Sequence, residues 1–340
     1  MYENFYGLSE LPFELTANPK YLYLSAAQRE ALSILQYGLS SAKALTLLIG
    51  DAGTGKTTLL QAALDSERCR DVRCIYLNNP TLRADDFVRL LAHKFDLGPE
   101  VGESKALLLT QLEKLLRDRH AAGLTTALVV DEAQSLSFEM LEEIRFLANI
   151  ETTSVKLLPV VLAGQPELGG RLEEPNLRQL KQRVTLRALL QPFGLDDTAA
   201  YIASRIVTAG GVPGRMFSLE AVTLIHELSG GIPRTISVIC DNVLVNGMAL
   251  GRHRVDRAGV AEVCRDLQLM ARKVSAPWKT SMAPASDAQA LPPPAPADSA
   301  PAATEAERDD QLPPAAPVRR DPRRSNVTAL SARVGRTITE

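Results

Sequence analysis

The 340-residue chain is poor in aromatic residues, at 5%, with one tryptophan, and it holds only four cysteines. These are Cys69, Cys74, Cys240 and Cys264. None stand at C-x-x-C spacing and no histidine cluster accompanies them, which argues against a disulfide framework or a zinc site. The four histidines, His93, His120, His226 and His253, are scattered. Net charge is nearly absent: 38 basic against 40 acidic residues give −2. The chain therefore lacks the global electrostatic signature of a nucleic-acid binder, a local basic patch aside. No uninterrupted apolar run approaches the roughly 18–20 residues of a membrane span. The opening MYENFYGLSELPFEL has neither a basic start nor an apolar core, so it does not read as a signal peptide. These absences together predict a soluble, cytoplasmic protein. No internal repeat is present.

What the chain does have is an ordinary globular balance, 45% hydrophobic and 23% charged. Its length allows one large domain, or two smaller ones with a tail. The most informative stretch is 45–60, LTLLIGDAGTGKTTLL. An apolar run, 45–49, enters Gly50-Asp51-Ala52-Gly53-Thr54-Gly55-Lys56-Thr57, and a helix-like Thr58-Leu59-Leu60 follows. Every fixed position of G-x-x-x-x-G-K-[ST] is filled, in the strand–loop–helix context that the motif needs. Gly53 and Gly55 let the backbone wrap closely around phosphates, since no Cβ intervenes. Successive N–H groups and a helix N-terminus then face the anion. Lys56 supplies a cation for the β- and γ-phosphates, and Thr57 a hydroxyl for Mg²⁺.

Ahead of this loop, 5–24 is aromatic-rich and broken by Pro12 and Pro19, which predicts an ordered extended arm. Phe5, Tyr6, Pro12 and Phe13 either pack that arm or wall a base pocket. Ser25 opens a helix to about residue 40, with Gln28 at capping-box spacing. Beyond the loop come a strand at 73–77, helices at about 84–95 and 104–120, and a strand at 126–130. That strand runs into Asp131-Glu132-Ala133-Gln134. Adjacent carboxylates at a strand end complete the nucleoside-triphosphatase pattern. Asp131 belongs to the Mg²⁺ shell. Glu132 is placed to orient and polarise the attacking water. A helix at 137–149 and a strand at 156–163 lead to Gln165. This residue either reaches the γ-phosphate or the water, or simply precedes a helix opened by Pro166. In LRQLKQRVTLR, an arginine just before the strand at 184–189 could reach a neighbouring subunit's γ-phosphate. A charge supplied in trans is worth roughly 10³–10⁵ in rate. Arg183 is the first candidate and Arg178 the second; the alternative for each is a solvated face.

Strands stop at Pro192. Helices at 196–209 (with an aspartate cap), 218–229, 234–248 and about 257–273 predict a small all-helical unit. In Gly230-Gly231-Ile232-Pro233-Arg234, two glycines end one helix and Pro233 starts the next, so Arg234 projects from a rigid helix start. After residue 275 the composition changes: 11 of the 21 prolines fall here, with many alanines and few bulky apolar residues. Such a segment is expected to be disordered. Its basic cluster, Arg319, Arg320, Arg323 and Arg324, could dock on an acidic partner, nucleic acid or anionic lipid.

The order FYGL…PF, GDAGTGKTT, LVVDEAQ, VVLAGQPEL, LKQRVTL and GGIPR resembles the AAA+ ATPases of the general secretion pathway protein A type, relatives of which serve exopolysaccharide and protein-sorting loci. The likeness covers roughly residues 1–270. It implies an α/β P-loop domain at 1–191 (with its arm at 1–24), a helical lid at 192–274 and a tail at 275–340. It also implies that Gln165 is the sensor-1 residue, Arg234 the sensor-2 arginine, and an arginine in 178–183 the finger of a homo-oligomer. ATP and Mg²⁺ are the implied ligands, and ATP hydrolysis the implied activity. The implied setting is the cytoplasm, with peripheral attachment to export machinery at the inner membrane. Better-known members add a membrane span and a peptidoglycan-binding region, which this sequence does not carry. A different class remains open: a DNA-associated ATPase of the transposition target-selector or origin-recognition type. A helicase reading, suggested by Asp-Glu-Ala-Gln, ranks last because only one P-loop domain is present.

Overall fold

The computed structural model describes residues 1–16, 18–78 and 84–268. The tail expected over 275–340 and the end of the helix expected over 257–273 lie outside them.

The chain opens with a one-turn helix, α1 (Tyr2–Tyr6), which takes in Phe5 and Tyr6, the first residues of the stretch expected to be extended. Gly7, at φ 69°, ends it in the left-handed conformation that glycine adopts without a Cβ penalty. Helix α2 (Ala26–Ser40) starts in a reciprocal capping box between Ser25 and Gln28, as the spacing predicts. Then follow β1 (Leu45–Gly50), α3 (Lys56–Leu64), β2 (Val72–Asn78), α4 (Ala84–Lys94), α5 (Lys105–Ala121) and β3 (Thr125–Asp131). Next come α6 (Phe138–Leu147), β4 (Val160–Gly164), α7 (Pro166–Arg171), α8 (Arg178–Lys181) and β5 (Val184–Leu190). Strand β4 starts later than the sequence suggests. Pro159 has no N–H to give a ladder, and Lys156 pairs across an isolated antiparallel bridge with Glu151.

All five strands are parallel, in the order β2-β3-β4-β1-β5. The connection leaving β1 therefore skips two positions, and β4 later fills the slot between β1 and β3. Parallel strands buried on both faces need apolar residues on both faces. In β3, Leu128 and Val130 join the core under α4, α5 and α6, while Ala127 and Val129 face α2 and α3. The carboxyl ends of β1, β4 and β3 consequently form one rim, where ligands of open α/β sheets bind.

From Leu195 the chain is helical: α9 (Leu195–Thr208), α10 (Pro213–Met216), α11 (Leu219–Ser229), α12 (Pro233–Ala249) and α13 (Arg257–Asp266). The aspartate cap expected for α9 is corrected. Its N-cap is Gly194, and Asp196 and Asp197 lie in the first turn, where carboxylates complement the helix dipole. These helices share a third core with the N-terminal arm, whose Tyr2, Leu8 and Phe13 are buried among them. Tyr2 donates a hydrogen bond to Asp241, and Tyr6 to the carbonyls of Leu244 and Arg252. Tyr2, Leu8 and Phe13 of the arm thus bury with the helices, whereas Leu24 packs against the core over α2 and α3.

The approach to α12 is fixed by backbone-to-backbone contact. Phe193 N donates to Gly231 O at 2.8 Å, and Gly231 has φ 73°. A Cβ on Gly231 would sit 2.1 Å from Phe193 O. Gly231→Ala therefore combines left-handed strain with a clash against backbone. It should destabilise the protein by about 2 kcal/mol or more. Urea unfolding checks this, and an unmoved midpoint would refute it.

Candidate nucleotide-binding site

The phosphate loop leaves β1 at Gly50 and closes on the first turn of α3. Gly53 and Gly55 take φ 82° and 96°, so the loop needs glycine at both. Lys56 is buried, with its ammonium donating to Gly50 O at 2.9 Å and Asp51 O at 3.1 Å. Burial pushes this ammonium below the ordinary lysine range. The charges of Glu132, Asp131, Asp51 and Glu167 act in the opposite direction. Thr54 Oγ1 donates to Asp51 O and pins the loop internally. Ala52 is exposed at the loop's outer side.

Across the rim, Thr57 Oγ1 donates to Asp131 Oδ2 at 2.6 Å. A hydroxyl and a carboxylate this close are a hard oxygen pair of the kind Mg²⁺ takes. Tyr76 also donates to Asp131 Oδ2, at 2.8 Å, and Glu132 N donates to Asp131 Oδ1 at 2.9 Å. Burial, followed by the hydrogen bond to and the charge of Asp131, pushes the Tyr76 phenol well above its ordinary value. Nothing in the local sequence around Tyr76 points to this role. It arises because β2 lies beside β3, with Asn78 in register with Asp131.

Glu132 has φ 53°, a left-handed conformation uncommon outside glycine. Its Oε2 accepts from Gln134 Nε2 at 2.6 Å and from Gln165 Nε2 at 3.5 Å. Gln134 Oε1 in turn accepts from Gln165 N. So Gln165, at the tip of β4, is brought to the carboxylate, and Gln134, part of the DEAQ run, joins it there. Strain held by surrounding structure at a carboxylate is a pointer to function.

The loop forms one wall of a cavity of about 420 Å³. Gly53, Thr54, Gly55, Lys56, Thr57 and Thr58 line it from below, with Glu132 at one side. Arg234 lines it from the helical side. Its N donates to Gly53 O at 3.2 Å, and a Cβ on Gly53 would meet Arg234 Cβ at 2.9 Å. The start of α12 is thus seated directly on the phosphate loop. The arm, at Glu14 to Thr16 and Tyr21 to Leu24, also lines the cavity, together with Phe193, Tyr201 and Arg205. The base-pocket alternative for Phe5, Tyr6, Pro12 and Phe13 does not hold, because none of them lines the cavity. Phe5 stacks on His253 with centroids 4.2 Å apart, and Phe13 packs edge-on against Phe217. Arg178 is exposed on α8 and Arg183 half-buried before β5, and neither lines the cavity. Among the described residues no cluster of metal-ligating side chains of the His/Cys/carboxylate kind occurs, and no helix is long and apolar enough to cross a membrane.

A parallel sheet in the order β2-β3-β4-β1-β5, a complete phosphate loop on β1 and a paired carboxylate on β3 define a P-loop nucleoside-triphosphatase fold. Residues 39–172 match the family model of the AAA domain. The chain is similar to general secretion pathway protein A of Aeromonas hydrophila, with 41% identity over 275 residues. That match covers 81% of this chain and 49% of the relative, so the chain spans about half the relative's length. The fold is shared with Cdc6p from Pyrobaculum aerophilum, at TM-score 0.58 and 18% identity over 75% of this chain and 70% of that one. It is shared also with the Drosophila ORC bound to DNA, at TM-score 0.57 and 18% identity over 76% and 64% of the two chains. The Aeropyrum pernix ORC2 protein gives TM-score 0.56 and 16% identity over 76% and 72%.

Proposed function

We propose that this protein binds ATP with Mg²⁺ and hydrolyses it, and that the cycle moves the helical unit and neighbouring copies of the chain. The observation that carries this reading is the convergence of Lys56, Thr57, Asp131 and Glu132 at the strand ends, with Arg234 seated on the same loop. Lys56 and the loop amides hold the phosphates. Thr57 and Asp131 hold the Mg²⁺, which neutralises charge on the β- and γ-phosphates when bound. Glu132 orients the attacking water, and Gln165 and Gln134 hold its carboxylate in place. Arg234 ties the start of α12 to the phosphates, so their loss releases the helical unit. Arg183 or Arg178 acts on a neighbour's site, which makes the working form a homo-oligomer.

The domain division follows from the same reading. Residues 1–191 bind nucleotide, 192–274 form the lid, and 275–340 form a tail. Similarity to general secretion pathway protein A supports a role in secretion; we extend this to assembly or export of envelope polysaccharide as the alternative task, carried out from the cytoplasmic side of the inner membrane. The test is an ATP-dependent pull-down with Glu132→Gln. Recovery of export or envelope components only when ATP is present is the expected result.

A second reading, a DNA-associated ATPase, draws on the fold shared with origin-recognition proteins, one of them solved bound to DNA. Duplex-DNA affinity measured across salt concentrations separates the two. The secretion reading predicts weak binding at physiological salt. Tight binding with a steep negative salt slope would favour DNA instead.

A further inference from the structure

Asp131 is only 1% exposed, and a buried carboxylate needs donors. Three elements supply them. Its Oδ2 accepts from Thr57 Oγ1, at the start of α3, and from Tyr76 OH, on β2, at 2.6 and 2.8 Å. Its Oδ1 accepts from Glu132 N, in the turn after β3, at 2.9 Å. Thr57 and Glu132 have tasks of their own in the nucleotide reading. Tyr76 has none, and it does not line the cavity.

The sheet fixes where Tyr76 stands. Side chains alternate between the two faces of a strand. On β2, Ile75 and Leu77 join the core under α4, α5 and α6, so Tyr76 lies on the opposite face, packed against the core over α2 and α3. On β3, Ala127 and Val129 lie on that same face, and the alternation puts Asp131 there as well. The register sets Tyr76 beside Val129 and Asn78 beside Asp131. The phenol is long enough to run forward from the level of Val129 to the carboxylate two residues on. Its ring is held by the core, so the hydroxyl reaches Oδ2 from a paired strand rather than from a loop. Groups that hydrogen-bond a metal-binding carboxylate hold it in the orientation the metal requires, and so tune affinity.

We propose that Tyr76 is a positioning residue for the Mg²⁺ site: its hydroxyl holds the Asp131 carboxylate in the orientation in which, with Thr57, it takes the cation. Tyr76 acts through Asp131 alone. The inference rests on the nucleotide reading above and adds to it a residue from β2, the edge strand of the sheet.

Calorimetric titration of the full chain with a non-hydrolysable ATP analogue, once in excess Mg²⁺ and once in EDTA, tests the proposal. Tyr76→Phe keeps the ring and deletes the hydroxyl. It should weaken binding in Mg²⁺ by about tenfold or more, the usual loss when a partner of a metal-binding side chain is removed, and leave binding in EDTA within about twofold. Tyr76→Leu carries the same test if the phenylalanine variant does not fold. It leaves room for a water to serve Oδ2 but still lacks a donor fixed to the sheet, and the same selective loss is expected. Unchanged affinity in Mg²⁺ in a folded variant would overturn the proposal. So would an equal loss in Mg²⁺ and in EDTA, which would make Tyr76 a support of the fold and not of the metal site. A wild-type protein that binds the analogue in neither condition would instead overturn the nucleotide reading itself, and this inference with it.

Discussion

Glu132→Gln is expected to leave ATP binding intact and to lower the rate of hydrolysis by a factor on the order of 10²–10⁴. The substitution is nearly isosteric, so the strained backbone at φ 53° and the Asp131 Oδ1 bond to residue 132 N can both persist. What disappears is the negative charge and the ability to accept a proton from water. The carboxylate has two amide donors around it, Gln134 at 2.6 Å and Gln165 at 3.5 Å, and an amide at position 132 still offers one oxygen to them. Geometry is therefore largely preserved while the chemistry is lost, which separates a catalytic role from a structural one. The measurement is phosphate release under saturating ATP, beside a nucleotide-binding titration of the same variant. Undiminished turnover would remove Glu132 from this role.

Lys56→Ala should reduce ATP affinity by about 100-fold or more, as loss of charge-assisted bonds to two phosphate groups implies. The ammonium is already buried and held on the loop's own carbonyls, Gly50 O and Asp51 O. It is thus kept inside the loop, where the phosphates would lie, rather than recruited from solvent. Alanine leaves those carbonyls without their donor, so some loss of thermal stability accompanies the loss of affinity. The two effects separate by experiment: a binding titration below the variant's unfolding transition reads affinity alone. Affinity equal to wild type would show that the phosphates lie elsewhere.

The local parts of the site were legible in the sequence for a physical reason. A phosphate loop is a contiguous stretch whose backbone does the binding, so Gly53, Gly55, Lys56 and Thr57 identify it without any long-range information. Asp131 and Glu132 were legible because an apolar strand running into carboxylates is a local pattern too. The capping box at Ser25 and Gln28, and Pro233 at the start of α12, are likewise contacts within one turn of helix. Where the sequence misled, local patterns competed. The apolar residues of 156–159 read as strand until Pro159 and the Glu151–Lys156 bridge removed them from the ladder. The aromatics at Phe5, Tyr6 and Phe13 suit a base pocket as well as a core, and composition cannot separate those two uses.

The sequence by itself determined a sheet of parallel strands flanked by helices, a phosphate loop and the carboxylate pair. Periodicity, glycine placement and short-range spacing are properties of neighbouring residues. Only the tertiary structure decided which strands are neighbours, and everything that follows from that order. Inserting β4 between β1 and β3 brings Gln165 to Glu132. Setting β2 beside β3 brings Tyr76 to Asp131. Packing the first residues of the chain against α9 and α12 brings Glu14 and Tyr21 to Arg205, close to 190 residues away along the chain. Those contacts rest on burial summed over whole elements, which no short window of sequence contains.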